Sequence, residues 1–318
     1  MTTVVTGAGL IGTAFAQHAI ARGETVVFVD PEPRTEFLRM KLGDTGYTQV
    51  RKDVRDLPAL LECIKTNRAA TVVHTAGLIG PRVNASLSAA FDINLGGTRN
   101  VAEAVRLYGV RRLVHISTFG VYDRRREANA AIGEDFPRGQ GRGYGNYKAA
   151  KELILEAYAA AHNFELIMLR PANVFGLGHF WSGSSGGQKL QSLVEAGFEG
   201  KTARVPAAEA VANEYIYAKD IGRAVDLAAT VAMPKQTIFN IGNGVVTPFD
   251  ELVATVRALC PKLSCEIEGT PAPQPKALAP LDISAAKRHL VWQPQFTLKA
   301  AFADYLAEIR AARTQAKS

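Results

Sequence analysis

Cysteine is scarce in this chain of 318 residues, which contains only Cys63, Cys260 and Cys265. The three thiols lie far apart in the sequence and have none of the paired spacings that zinc sites use. Their odd number and their scatter also argue against a framework of disulfides, so reduced cysteines are the expected state. We therefore predict no metal site.

Long apolar segments are also missing. No run reaches the roughly 18 consecutive apolar residues that a membrane-spanning helix requires. The N-terminus does not have the basic, apolar and small-residue regions of a secretion signal, because Thr2–Thr6 already predicts a β-strand. These absences predict a cytoplasmic protein with no membrane partner.

The charge pattern does not indicate nucleic acid as a partner. The formal net charge is +7, but the basic residues are dispersed and no nucleic-acid-binding motif accompanies them. Small basic clusters at residues 111–112 and 124–126 are consistent with a solvated surface, or with attraction of an anionic cofactor or substrate.

The chain does contain a regular alternation of short β-branched runs and helical patterns, joined by short connections. Its hydrophobic content of 47% is enough for a large core, in one big domain or two unequal ones. The alternation predicts a parallel sheet with helices on both faces, and ligands bind beyond the carboxyl ends of the strands in such sheets. The predicted strands are Thr2–Thr6, Thr25–Val29, Tyr47–Val50, Thr71–His74, 111–116 and 164–169.

A glycine-rich turn follows the first predicted strand. Gly7, Gly9 and Gly12, with Leu10 and Ile11 between them, form a GxGxxG motif that opens a helix, a position that suits a dinucleotide. Gly7 permits the tight turn, Gly9 lets the backbone approach a pyrophosphate, and Gly12 allows close packing of helix against strand. The phosphates are expected at the N-terminus of that helix.

Asp30 follows the second predicted strand and is the candidate ribose-binding residue. A carboxylate there can accept hydrogen bonds from the ribose hydroxyls of NAD and would repel the additional phosphate of NADP. The alternative is a turn residue before Pro31. We predict NAD as the cofactor, although Arg34 is close enough to leave NADP open.

Three side chains have the arrangement needed for proton transfer to or from a substrate oxygen. Tyr144 and Lys148 are four residues apart, so they project from one face of a helix. The unperturbed pKa of a phenol is about 10, and a cation one turn away favours the phenolate. Thr118, at the end of a strand, can hydrogen-bond the same substrate oxygen. We predict these three as the catalytic residues, and because none of them accepts hydride, the reaction needs a cofactor.

Ten motifs follow one another along nearly the whole chain. They are VVTGAGLIG, DVRD, VVHTAGL, NLGGTRNVAEAV, LVHISTFGVYD, YGNYKAAKE, LRPANVFG, EYIYAKDIGRAV, FNIGNG and LDISAAKRHLVWQP. In this order they resemble the extended short-chain dehydrogenases/reductases, the NAD-dependent epimerase/dehydratase family. The resemblance implies an α/β fold: a Rossmann-type doubly wound parallel sheet with a smaller C-terminal substrate-binding lobe.

The resemblance also implies roles for residues outside the glycine turn. Asp53 and Val54 would border adenine, and Asn94, within a helical pattern at residues 84–108, would fix the loop that carries Thr118. A solvent-facing polar position is the alternative for Asn94. The expected cofactor contacts are Gly7, Gly9, Leu10, Ile11, Gly12, Asp30, Asp53, Val54, Thr75, Ala76, Gly77, Asn94, Ser117, Tyr144, Lys148, Pro171 and Asn173.

The alternation of strands and helices breaks at about Asn173, where a Gly/Ser-rich loop, a helix and short strands follow. We expect residues 1–172 to form the NAD-binding domain and residues 173–318 to form most of the substrate-binding lobe. By resemblance, a segment near 236–260 returns to the first domain. The family often dimerises through the helices around Val101 and Lys151, so a homodimer is expected.

The substrate is less clearly indicated. Asn173 matches a residue that helps bind the diphosphate in sugar-nucleotide enzymes of the family, but the family's Arg-Asp-Phe is replaced by Asn-Glu-Tyr at residues 213–215. A main diphosphate clamp is thus missing, unless Arg204 substitutes. Aromatic and hydroxyl groups at residues 179–184 suit a sugar or polyol, or alternatively pack within the lobe. The predicted substrate contacts are Thr118, Asn173, His179 and Trp181.

These patterns together predict an NAD-dependent oxidoreductase acting on a small-molecule substrate. Hydride transfer would occur at a secondary alcohol or ketone of a sugar, sugar acid or similar polar alcohol, with Tyr144 as acid/base. One alternative is a nucleotide-sugar epimerase, which returns the hydride to the opposite face and keeps its NAD. A remote alternative is a non-catalytic dinucleotide sensor. Dehydration is not expected, because Phe119 and Gly120 stand where the family's 4,6-dehydratases have Asp and Glu.

Overall fold

The computed structural model describes residues 1–32, 34–123, 125–126, 128, 130–139, 143–178, 185–270 and 279–315. Its strands are β1 (Thr2–Thr6), β2 (Thr25–Val29), β3 (Tyr47–Val50), β4 (Thr71–His74), β5 (Arg112–Ile116), β6 (Glu165–Pro171), β7 (Asn173–Phe175), β8 (Thr202–Pro206), β9 (Asn213–Tyr217), β10 (Ile238–Ile241), β11 (Val246–Thr247) and β12 (Ser264–Glu268). Its helices are α1 (Leu10–Ala21), α2 (Thr35–Leu42), α3 (Leu57–Asn67), α4 (Pro81–Ala85), α5 (Leu87–Ala90), α6 (Gly97–Leu107), α7 (Gly143–His162), α8 (Ser185–Glu199), α9 (Ala218–Thr230), α10 (Phe249–Leu259), α11 (Ser284–His289) and α12 (Leu298–Gln315). A π-helical segment, Phe91–Gly96, precedes α6, and a 3-10 turn, Phe119–Val121, follows β5.

Seven parallel strands form the central sheet, in the order β10-β6-β5-β4-β1-β2-β3. β1 lies within the sheet, where Val4 pairs with Val27 of β2 and with Val72 of β4. All three valines are fully buried, as expected when helices cover both faces. The predicted doubly wound α/β fold is confirmed, and the bounds of the six predicted strands differ from the observed ones by no more than two residues.

Helices cover the two faces of this sheet. On one face α1 packs against α9. This contact is close because Gly222 of α9 has no side chain, and a Cβ there would lie 2.6 Å from the backbone oxygen of Ala14. On the other face α3 and α6 share a core with Leu155 of α7. The residues at the strand ends therefore extend from a sheet that is packed on both sides.

The helical pattern predicted for residues 84–108 is interrupted in the structure. It contains the end of α4, then α5, the π-helical segment and α6. Ser86 accounts for the first break, because its backbone is extended and its hydroxyl accepts a hydrogen bond from the backbone N–H of Ala89. The wider turn of the π-helical segment buries Asn94. A helical period in the sequence does not reveal such a turn.

The chain after β6 builds a smaller lobe with its own core. β7, β9 and β11 form one sheet, and β8 pairs with β12 in another. The ring of Phe175 packs in this core against Tyr217 at 5.3 Å and Phe302 at 5.1 Å between centroids. β10 instead pairs with β6 of the central sheet, although it lies in the same stretch of sequence. The lobe is therefore discontinuous along the chain.

Neither a membrane span nor a metal centre is found in the described part of the chain. None of the helices there combines the length and the apolar character that crossing a membrane requires. The same residues contain no group of three or more histidine, cysteine, aspartate or glutamate side chains that could hold a metal ion. Cys63, Cys260 and Cys265 are free thiols.

Candidate active site

The glycine turn between β1 and α1 has little room for side chains on its protein side. Gly7 has a φ of +96°, and a Cβ there would lie 2.5 Å from the hydroxyl oxygen of Thr75. A Cβ on Gly12 would lie 2.6 Å from the backbone oxygen of Gly7. A Cβ on Gly9, in contrast, would meet no atom within 4 Å. The turn is closed at Gly7 and Gly12 and open at Gly9, as the approach of a pyrophosphate would require.

The N-terminus of α1 lies at this opening. No side chain caps the helix, and its first turn contains no acidic residue. The first backbone N–H groups of a helix carry partial positive charge, which attracts anions. This helix end therefore fits the pyrophosphate of a dinucleotide.

Asp30 lies beside the glycine turn. Its carboxylate accepts hydrogen bonds from the backbone N–H groups of Ala8 at 2.8 Å and Glu32 at 2.9 Å. Asp30 thus acts as a turn residue, which was the alternative, but about half of the acceptor sites of a carboxylate remain for ribose hydroxyls. Burial lowers the pKa of Arg34, and attraction to Asp30 opposes this. Ribose binding by Asp30 stays a prediction.

Asp53 and Val54, after β3, are held by neighbours that the sequence did not identify. The carboxylate of Asp53 pairs with Arg55 at 2.8 Å. Val54 is buried against Gly97, where a Cβ would lie 2.6 Å from its side chain. Asn100 donates hydrogen bonds to the backbone oxygens of Val54 at 3.1 Å and Arg55 at 2.9 Å. Asn100 therefore fixes this loop to α6.

The loop after β4 is held from two sides. Asn94 accepts a hydrogen bond from the backbone N–H of Leu78 at 2.7 Å and donates one to its backbone oxygen at 3.2 Å. Lys151 of α7 donates to the backbone oxygen of Ala76 at 2.9 Å. Both expectations for Asn94 were therefore wrong. It is buried, and it holds the loop after β4, not the loop that carries Thr118, because the π-helical segment turns it towards Leu78.

Thr118, Tyr144 and Lys148 meet at the carboxyl end of β5. The side chains of Thr118 and Tyr144 are hydrogen-bonded to each other. The ammonium of Lys148 donates to the backbone oxygen of Ile116 at 2.7 Å, and its nitrogen lies 6.0 Å from the centre of the Tyr144 ring. The structure thus brings together the three residues that the sequence selected as catalytic.

Burial controls the protonation of Tyr144 and Lys148. It raises the pKa of Tyr144 to about 12, although the hydrogen bond with Thr118 opposes this. It lowers the pKa of Lys148 to about 8, against the attraction of Glu152. The sequence led us to expect that Lys148 favours the phenolate. In this geometry the ammonium is directed to Ile116 and desolvation disfavours both charged forms, so the effect of Lys148 on the phenolate stays a prediction.

A buried carboxylate that we did not single out in the sequence lies beneath these residues. Glu152, one turn beyond Lys148, is fully buried and accepts hydrogen bonds from Arg170 at 2.7 and 2.9 Å. Arg138 and the hydroxyl of Ser117 add bonds at 3.0 and 2.5 Å. Burial raises the pKa of Glu152, but these hydrogen bonds outweigh it and the net pKa is lowered. The four-residue spacing from Lys148 was a signal that could have revealed it.

Ser117 consequently faces the protein interior. Its side chain is buried, and its hydroxyl is used by Glu152. The hydroxyl of Ser117 is therefore engaged within the protein, and contact between this residue and the cofactor stays a prediction. Successive residues of an extended chain point to opposite sides, so Thr118 takes the position beside Tyr144.

Asn173 begins β7, just after Pro171 ends β6. Its amide group donates hydrogen bonds to the backbone oxygen of Glu214 at 3.0 Å and the side chain of Asn213 at 3.3 Å. The amide nitrogen of Asn173 thus ties β7 to β9, and contact with cofactor or substrate stays a prediction. Two other predicted substrate contacts lie outside the described residues, namely His179 and Trp181.

Comparison with known proteins identifies the family. A model of the NAD dependent epimerase/dehydratase family matches residues 3–242. The chain belongs to this family. Among its relatives in this family is a UDP-glucose 4-epimerase of Mycolicibacterium smegmatis, which is 30% identical over 311 residues, covering 94% of this chain and 95% of the relative.

Comparison with solved structures agrees with this assignment. A UDP-glucose 4-epimerase of Thermus thermophilus in complex with NAD has a TM-score of 0.84 and 26% identity, covering 98% of this chain and 100% of that one. A UDP-glucose 4-epimerase of Thermotoga maritima with UDP-glucose shares the fold, with a TM-score of 0.85, 21% identity and coverage of 98% and 100%. The protein is therefore an NAD-dependent enzyme of the extended short-chain dehydrogenase/reductase type, as predicted, and its cofactor is NAD.

We expect Glu152→Gln to lower the free energy of unfolding by about 3 kcal/mol, because it leaves the buried guanidinium of Arg170 without its carboxylate. Glu156→Gln is the matched control. Glu156 is more exposed and pairs with Arg138, so its loss should cost less than about 1 kcal/mol. Urea denaturation followed by circular dichroism measures both values. Equal losses in the two variants would contradict the assigned role of Glu152.

We expect Lys148→Met to raise the free energy of unfolding at pH 7. A pKa lowered to about 8 means that the charged lysine weakens the folded state by about 3 kcal/mol. The variant also loses the hydrogen bond to Ile116, which offsets about 1 kcal/mol of its gain. The folded-state pKa lies below the unfolded one, so the wild type gains stability as the pH rises from about 8 to about 10.4. The advantage of the variant should therefore shrink at pH 10. Denaturation at both pH values tests this, and a variant that is less stable at both would contradict it.

Proposed function

We propose that this enzyme transfers hydride at a secondary alcohol or ketone of a sugar, a sugar acid or a similar polar alcohol. The observation that carries the proposal is the hydrogen-bonded pair of Thr118 and Tyr144 with Lys148 beside it. Thr118 follows β5, and α7 brings Tyr144 and Lys148 to the same edge of the sheet, where the glycine turn also opens. A substrate oxygen between the two hydroxyls could exchange its proton with the phenol.

Each of the three side chains has a separate role in this proposal. NAD supplies the hydride acceptor or donor at C4 of its nicotinamide ring. Thr118 orients the substrate oxygen, and Tyr144, which holds its proton at neutral pH, donates that proton when a ketone is reduced. Removal of a proton from an alcohol needs the phenolate, which Lys148 would stabilise if its ammonium turned from Ile116 towards the phenol.

A nucleotide-sugar epimerase is the second candidate, and the activity named for the relatives favours it. An epimerase would use the same three residues, return the hydride to the opposite face of the same carbon and retain its NAD. The observation against it is Asn213, a neutral residue where the family's sugar-nucleotide enzymes have arginine.

The absorbance of reduced nicotinamide separates the two candidates. Purified protein with added NAD is offered sugars, sugar acids and UDP- or GDP-linked sugars, and chromatography follows each sugar. Accumulation of NADH assigns a dehydrogenase. Inversion of a nucleotide sugar without NADH assigns an epimerase. If no compound reacts in either way, the proposal is wrong.

Tyr144→Phe should lower turnover by about 100-fold or more while leaving the Kd for NAD within about twofold, because the phenol moves the proton but is only one of many expected contacts to the dinucleotide. Tyr147→Phe is the matched control, since the hydroxyl of Tyr147 donates to the backbone oxygen of Leu87 and not to the site. It should keep most of the activity. Turnover that is unaffected by Tyr144→Phe would exclude the mechanism.

We also propose a cytoplasmic homodimer formed through α6 and α7. Leu107, Tyr108 and Leu153 are exposed apolar residues of these helices or at their ends. The free cysteines are consistent with a reducing compartment.

Light scattering should give twice the mass of one chain for the wild type. Leu153→Glu should give the mass of one chain, because it puts charge into the interface. A wild type with the mass of one chain at micromolar concentration would contradict the dimer.

A further inference from the structure

A cavity in the lobe lies between α8 and β8. Its volume is about 240 Å³, and the groups that line it include the side chains of Gln188, Lys189, Gln191, Ser192, Arg204 and Glu209. This volume is below the roughly 300 Å³ at which pockets for whole drug-sized ligands begin. The cavity is therefore suited to one polar part of a larger substrate.

Lys189 is the unusual member of this lining. It is only 4% exposed, and among the described residues its ammonium donates one hydrogen bond, to the backbone oxygen of Glu209 at 2.8 Å. Its nitrogen also lies 5.8 Å from the ring centre of Tyr215 and 5.4 Å from that of Phe249. No carboxylate among the described residues lies within 4 Å of it. An ammonium has three donors, and lysine is seldom fully buried without an anionic partner. The cation of Lys189 can therefore bind an anionic group of a ligand.

Arg204, the other cation of the cavity, is already paired. Its guanidinium contacts Glu268 at 3.2 Å and Glu266 at 3.8 Å, and its side chain is 66% exposed. The sequence suggested Arg204 as the substitute for a missing diphosphate clamp. Its pairing with β12 in open solvent makes it the weaker candidate.

The position of Lys189 connects it to the predicted substrate contacts. Gly186 of α8 abuts Asn173, since a Cβ there would lie 2.5 Å from the side-chain oxygen of Asn173. Lys189 is three residues further along the same helix, so it projects from the same face. Tyr215, whose ring lies beside the ammonium, pairs directly with Asn173 between β9 and β7. Lys189 and Asn173 thus belong to one wall of the lobe.

We propose that Lys189 determines substrate specificity by binding an oxyanion of the substrate in the cavity between α8 and β8. The inference rests on the proposed function and names the substrate class for the same site. The oxyanion is the diphosphate of a nucleotide-linked sugar or the carboxylate of a sugar acid. In either case the recognising charge comes from α8, while position 213 on β9 is a neutral asparagine.

The protonation of Lys189 gives this role a distinct signature. Burial lowers its pKa to about 8, and attraction to Glu209 opposes this. The other ionisable groups around the cavity are Glu195 of α8, Arg204 of β8 and Tyr215 of β9, and burial raises the pKa of Tyr215. The affinity for an oxyanion should therefore fall as the pH rises through about 8 and the ammonium loses its proton. Lys189→Arg should lack this fall, because a guanidinium stays charged.

Binding measurements with Lys189→Met test the proposal. Titration calorimetry on NAD-saturated protein uses UDP, UDP-glucose, free glucuronate and free glucose as probes. We expect the Kd of the recognised anion to rise tenfold or more, with the Kd for NAD unchanged. Arg204→Gln, which removes a cation from the same cavity, should change that Kd by no more than about twofold.

The probes distinguish the two sources of the oxyanion. A loss confined to UDP and UDP-glucose assigns the diphosphate, and a loss confined to glucuronate assigns the carboxylate. Unchanged affinity for every anion in Lys189→Met would overturn the proposal, and so would an equal loss for neutral glucose. If Lys189→Met does not fold, the comparison of pH profiles between the wild type and Lys189→Arg decides, and identical profiles would overturn the proposal.

The same measurements distinguish failure of the proposed function from failure of the proposed role of Lys189. A wild type that turns over a sugar substrate, with the same Kd in Lys189→Met, leaves the proposed function intact and removes only the role of Lys189. A wild type that binds NAD but neither binds nor converts any sugar, sugar acid or nucleotide sugar overturns both.

Discussion

The buried ion pair between Glu152 and Arg170 is the interaction on which the geometry of the site depends. Glu152 lies on α7, the helix that also carries Tyr144 and Lys148, and Arg170 lies on β6. Ser117, at the end of β5, donates to the same carboxylate. A buried ion pair contributes little net stability, because its desolvation offsets the attraction between the charges. Its effect here is to fix α7 against two strands, and thereby to set the distance between Thr118 and the phenol of Tyr144.

The network continues beyond this pair into the returning part of the chain. Arg170 donates to the hydroxyl of Tyr122 at 3.0 Å and to the backbone oxygen of Glu134 at 2.8 Å. The hydroxyl of Tyr122 in turn donates to Asn240 of β10 at 2.6 Å. The strand that returns from the lobe sequence is thus bonded to the same polar core as the catalytic helix. Every member has a partner, which is the condition under which a buried polar network gives a single arrangement.

Buried lysines are the second recurring feature, at three positions in the part of the chain that the structure describes. Lys148, Lys151 and Lys189 each donate to one backbone oxygen, and burial lowers the pKa of each of them. Such groups weaken the folded state, and they concentrate at functional sites. The ammonium groups of Lys148 and Lys151 extend from α7 to Ile116 at the end of β5 and Ala76 after β4, whereas Lys189 lies in the lobe. The protein therefore has a cation for the chemistry and another where a substrate anion could be recognised.

The sequence by itself determined the sheet, the glycine turn and the choice of Tyr144 and Lys148, because periodicity, turn chemistry and helix spacing are local properties of the chain. Tertiary structure decided the rest. It turned Asn94 towards Leu78, directed the hydroxyl of Ser117 to Glu152, and set the pKa of Tyr144 through burial. These outcomes depend on residues distant in sequence and on exclusion of water, which no local pattern records. For the same reason the cation of Lys189 became visible only when α8 packed on β7 and β8.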